Sequence, residues 1–124
     1  MNAADELPDL PGIDKADGLK RMMNKPALYE KILRDFRERL IDAPEVIRAA
    51  LAIGDFASAE RLAHSAKGLS GTIGALNLQV AARVLEKALH NGEIPSDTVF
   101  RQFEQELRTV SDGIALGFGI NPPN

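Results

Sequence analysis

Residues Asp55–Gly92 read DFASAERLAHSAKGLSGTIGALNLQVAARVLEKALHNG, and the spacing of their apolar side chains decides the fold. Asp55 stands where a helix N-cap belongs, and Ala59, Leu62, Ala66, Leu69 and Ile73 then recur at three- and four-residue steps, the period of an amphipathic helix. Gly74 punctuates the pattern. A second run, Leu76 to Leu89, turns Leu78, Ala81, Ala82, Leu85, Ala88 and Leu89 inward and closes on Asn91-Gly92, a C-cap signal. Two amphipathic helices joined by so short a turn form an antiparallel hairpin.

The same period extends outward. Leu28, Tyr29, Ile32, Leu33, Phe36, Leu40 and Ile41 follow Pro26, a residue suited to a first helical turn. Asp42 precedes Ala43-Pro44 as an expected N-cap for a helix carrying Val46, Ile47, Ala50, Leu51 and Ile53 up to Gly54; two helices and one kinked rod fit this stretch equally. Ile13, Ala16, Leu19 and Met22 or Met23 predict a short helix from Asp14 to Met23, stopped by Asn24 and the approach of Pro26. Beyond the hairpin, Val99, Phe100, Phe103, Leu107, Val110 and Ile114 predict a last helix starting at Pro95 or Ser96. No stretch alternates with period two. The expected fold class is therefore all-α, an antiparallel up-and-down four-helix bundle with a short additional N-terminal helix. Residues 1–12, with two prolines and no apolar period, read as a linker or disordered lead-in, 13–115 as the bundle and 116–124 as a C-terminal tail.

Composition narrows the function. The 124 residues suit one domain. The absence of cysteine excludes a disulfide framework, a thiolate metal site and a cysteine nucleophile. Fifteen Lys and Arg against eighteen Asp and Glu leave a net charge of −3, without the basic excess of a nucleic-acid binder. No signal peptide or membrane-spanning run is present, so direct membrane insertion is not expected and the cytoplasm is the expected compartment, as a free protein or as one end of a membrane-anchored one. The core pattern leaves no spare apolar face, so a monomer is expected.

On a helical wheel His64 points opposite the apolar stripe of its helix, together with Ala57, Glu60, Arg61, Lys67, Gly68, Gly71 and Ala75. Two glycines inside a well-patterned helix cost about 2 kcal/mol relative to alanine, a local rule broken twice beside one histidine. Close helix packing is the structural alternative. Lys67, one turn after His64, shares its surface and can meet an anion carried by or approaching the imidazole. If the turn centres near Ala75, His64 and Glu86 are level, eleven residues to either side. Glu86 is then placed either to hydrogen-bond a ring nitrogen and fix the tautomer, or to pair with Arg83 as a surface acid. Gln79 and Arg83 fall level with Gly71 and Lys67. His90, beside Asn91-Gly92, reads as a residue favoured at a helix C-terminus. A metal site from His64, His90 and Glu86 would require convergence that this register does not give, so no metal is expected. Ser65 diverges from His64 by about 100° on the helix, and no phosphate-binding loop, nucleophile elbow or zinc-protease motif occurs.

From Ala63 to Leu89 the sequence resembles a histidine-containing phosphotransfer domain, the HPt module of two-component phosphorelays. His64, Lys67, Gly68, Gly74, Leu85 and Glu86 fall in register with the family's H-x-x-K-G core and following L…A…LE pattern. The upstream LPGID…GL…LY..IL..F, Leu10 to Phe36, is similar to the lead-in of HPt domains at the C-terminal end of hybrid sensor kinases. Ala66 departs from the family, which more often has a larger apolar residue there. The resemblance implies His64 as phosphoacceptor from a receiver-domain aspartate and donor to another receiver, without independent catalytic turnover. It also implies Lys67 as the neutraliser of phosphate charge and Glu86 as the group orienting the imidazole. Gly68, Gly71, Arg61 and Glu60 become the expected docking face for response-regulator receivers. The partners implied are receivers and a sensor or hybrid histidine kinase, with Mg on the receiver and no cofactor of the chain's own. A helical docking module that binds receivers without exchanging phosphate is the alternative.

Overall fold

The computed structural model describes residues 2–121, and among these the regular structure is entirely helical. A 3-10 turn at Ala3–Glu6 precedes α1 (Lys15–Arg21), α2 (Pro26–Leu40), α3 (Ala43–Ala52), α4 (Phe56–Ile73), α5 (Leu76–His90) and α6 (Asp97–Gly117). Local chemistry sets several starts: the side chains of Asp14, Asp55 and Ser96 accept from the backbone N–H groups of Asp17, Ser58 and Val99, and Pro26 opens α2. Gly74 closes α4 in the left-handed conformation, φ 85°.

α2 with its extension α3, then α4, α5 and α6, form the four-helix bundle, and α1 is the short additional helix. α4 lies at its centre, touching α1, α2, α3 and α5. α2 and α3 are separate helices. α3 does not fold back on α2 but packs on α4, and the break falls at Ile41-Asp42 because Pro44 has no N–H to continue the ladder. Asp42 does not act as the expected side-chain cap; only its carbonyl is used, by the N–H of Val46. α1 ends at Arg21 rather than Met23, since Met23 and Asn24 both take positive φ to turn the chain toward Pro26.

α1 is fastened across the end of α4. The N–H of Asp14 donates to the carbonyl of Gly74 at 2.9 Å, and the buried Tyr29 hydroxyl donates to that of Ile73 at 2.5 Å. Burial, with help from Asp14 and Asp17, pushes the Tyr29 phenol far above its usual range and keeps it a donor. Gly18 makes the approach possible, since a Cβ there would meet the Tyr29 hydroxyl and the Ile73 carbonyl.

The lead-in expected to be linker or disordered is part of the packed structure. Leu7 and Leu10 are buried in the core, and Pro8 and Pro11 sit over Gly117 and Gly113 of α6, where added Cβ atoms would meet their rings. Two leucines, each followed by a proline, show no period, so this docking is invisible until α6 supplies the surface. At the other end α6 runs two residues into the expected tail, and Phe118 and Ile120 rest on the core. Met1 and residues 122–124 of that tail lie outside the described residues. The bundle also leaves an apolar stripe that the sequence pattern did not reveal: Leu76, Val80 and Val84 are exposed along α5. Among the described residues no helix is long and apolar enough to cross a membrane.

Candidate functional site

α4 buries Ala59, Ala63, Ala66, Ser70, Gly71 and Ile73, while Leu62 and Leu69 are only half-buried. The buried face is therefore turned from the expected stripe toward α5, its most extensive neighbour, against which small side chains allow close approach. Ser70 satisfies its hydroxyl on the carbonyl of Ala66.

The rotation separates the two glycines. Gly68 is exposed and a Cβ there would meet nothing within 4 Å, so the helix surface next to His64 is bare. Gly71 is buried, because the amide of Gln79 on α5 occupies the space a Cβ would need. The placement of Gly71, and of Ala75, on the open docking face is thus corrected: both belong to the α4–α5 contact.

His64 projects outward with its side chain 68% exposed. Its Nδ1 lies 2.9 Å from Oε1 of Glu86, the level partner given by the hairpin register, and among the described residues Nε2 has no hydrogen-bond partner. Oε2 of Glu86 is inaccessible to solvent and lies 2.9 Å from Nζ of Lys67, an ion pair not aligned as a directional hydrogen bond. Glu86 therefore bridges imidazole and ammonium and makes no pair with Arg83. Partial burial pushes its carboxyl upward, but Lys67 and then His64 outweigh that effect and hold it below the ordinary glutamate range. A carboxylate fixed on Nδ1 favours the Nδ1–H tautomer and leaves the Nε2 lone pair facing solvent, the arrangement of a nucleophile that needs no enclosed pocket.

Arg61 is exposed and donates to the hydroxyl of Ser58 at 2.9 Å. Glu60 is half-buried and already engaged: its Oε1 lies 2.7 Å from Nδ1 of His90. His90 thus does more than suit a helix end. Its pairing follows from the same register that joins His64 to Glu86, one turn further from the hairpin, yet neither residue type nor spacing along a single helix signals it. Beside Glu86 an open depression of about 280 Å³ is lined by Lys67, Arg83, Lys87 and His90. Among the described residues no three His, Asp or Glu side chains are grouped as metal ligands.

No curated protein and no solved structure matches the chain in sequence or fold comparison. The family model described as Hpt domain matches residues 31–113, which takes in α3, α4 and α5 whole together with most of α2 and α6. With the all-helical bundle, the chain belongs to the Hpt domain family, the histidine phosphotransfer modules of two-component phosphorelays.

Proposed function

We propose that this domain is a phosphorelay intermediate that accepts a phosphoryl group on Nε2 of His64 from the aspartyl phosphate of one receiver domain and delivers it to the aspartate of another. The observation that carries this reading is the His64–Glu86–Lys67 constellation: an exposed imidazole anchored through Nδ1, with its other nitrogen free. The Nε2 lone pair forms the N–P bond while the P–O bond to the receiver aspartate breaks and its electron pair leaves on the carboxylate. The ring then carries positive charge, and Glu86, holding the Nδ1 proton, offsets it. The reverse sequence loads the second receiver.

Phosphoryl transfer demands in-line positioning and charge neutralisation more than covalent machinery. Lys67 is near enough to share its charge between Glu86 and an arriving phosphoryl group, and the receiver would bring the Mg ion. Gly68 gives the receiver access, with Arg61 at the rim of the contact. The compartment proposed is the cytoplasm.

Transfer from a phosphorylated receiver, followed as a time course, tests the assignment. Lys67→Ala should slow loading by about tenfold or more, the scale of one lost charge contact at a transferring phosphoryl group, while leaving the circular dichroism spectrum unchanged. Unaltered kinetics in Lys67→Ala would remove this residue from the site. Receiver binding without any transfer to the wild type would instead favour a docking-only module.

A further inference from the structure

The hairpin carries its acceptor geometry twice. Nδ1 of His90 on α5 lies 2.7 Å from Oε1 of Glu60 on α4, as Nδ1 of His64 on α4 lies 2.9 Å from Oε1 of Glu86 on α5. The second pair is displaced by one turn, about 6 Å along the helices. The side chain of His90 is 72% exposed, and among the described residues its Nε2 is unpartnered. Cations lie beside it as well. Lys87 and Arg83 precede it by three and seven residues, on the same side of α5, and with Lys67 and the carboxylate of Glu86 they line the open depression that His90 borders. Among the described residues neither Arg83 nor Lys87 is engaged in an ion pair, so both are free to meet an anion.

We propose that His90 is a second phosphoryl-acceptor histidine, modified at Nε2 by small phosphoramidate or acyl phosphate donors, with Glu60 as the residue that positions its ring. The Nε2 lone pair forms the N–P bond as the donor's P–N or P–O bond breaks and its electron pair leaves with the amine or carboxylate. The Nδ1 proton remains between ring and Glu60, and Lys87 and Arg83 face the new phosphoryl charge. A ring pinned at Nδ1 can react only at Nε2, whereas a free surface histidine offers both nitrogens.

The test uses potassium phosphoramidate with the full chain, reading the number of phosphates by intact mass and the isomer by phosphorus and nitrogen NMR. His64→Gln should retain one phosphate, at His90 and solely on Nε2, and His64→Gln/His90→Gln should retain none. Adding Glu60→Gln to His64→Gln should slow labelling of His90 by about fivefold, as expected for loss of a charge-assisted hydrogen bond at an exposed site, and should produce the Nδ1 isomer. The proposal is overturned if His90 stays unlabelled in His64→Gln, or if rate and isomer mixture are the same with and without Glu60. Labelling at His90 alone, with His64 inert in His90→Gln, would support this inference while contradicting the assignment of His64.

Discussion

At the residue scale the site depends on one carboxylate with two duties. Because the Glu86 carboxyl is held below its ordinary value of 4.5, its ionised form is favoured by folding. The stabilisation from its pairs is fully present above that ordinary value and fades as pH falls through the lower value of the folded state. NMR titration of the Glu86 carboxyl carbon should therefore show a midpoint below 4.5, with the His64 ring signals shifting in the same step; a midpoint above it would mean that burial, not Lys67 and His64, governs the group. The two glycines differ although only three positions separate them. Gly68→Ala should stabilise the domain by about 0.5–1 kcal/mol, since a Cβ meets nothing there, whereas Gly71→Ala should gain less because the Gln79 amide must be displaced. Equal gains in chemical denaturation would show that Gln79 does not occupy that space. The shared surface of His64, Lys67 and Gly68 was legible from the wheel, and the level of Glu86 from hairpin register, which left open whether its carboxylate meets His64 or Arg83. Gly71 was misplaced because a wheel drawn on Leu62 and Leu69 assumes the wrong direction for the neighbouring helix, and α4 turns instead toward α5.

At the scale of elements, α4 is held in position by contacts at its far end. The Tyr29 hydroxyl on the Ile73 carbonyl and the Asp14 N–H on that of Gly74 tie α1 and α2 to the last turn of the helix that bears His64. Tyr29→Phe leaves a buried carbonyl without its donor and should cost about 1–2 kcal/mol, a fall in Tm of about 5 °C. Gly18→Ala should cost at least as much, because the inserted methyl group collides with both partners of that bond. An unchanged Tm in both variants would contradict the fastening. Helix periods were readable because each amphipathic face repeats within its own segment. The tie was not, since a lone tyrosine, a lone glycine and a turn carbonyl carry no period, and only the packed bundle brings them together. Whether α2 and α3 are two helices or one kinked rod was similarly undetermined by the pattern alone, and the structure separates them at Ile41-Asp42.

At the scale of the molecule, a small helical scaffold presents one hairpin face and uses the rest of its surface to stabilise it. The N-terminal segment belongs to that scaffold. Leu7→Ala and Leu10→Ala should each destabilise by about 2 kcal/mol, measurable in urea, where a disordered lead-in would show no change. Its prolines and acids gave the appearance of a linker because their partners, Gly113 and Gly117, lie about a hundred residues away in sequence. The exposed Leu76, Val80 and Val84 likewise appear only once α5 is seated, since a helix pattern records which residues can be buried and not how many neighbours arrive. All of these features converge on a scaffold that exposes an imidazole anchored through Nδ1. Its most direct test is the intact mass of wild type and His64→Gln after mixing with a phosphorylated receiver, followed by acid and alkali treatment. One acid-labile, alkali-stable phosphate should appear on the wild type and none on His64→Gln. An equal load on both proteins, or an adduct stable to acid, would contradict that expectation.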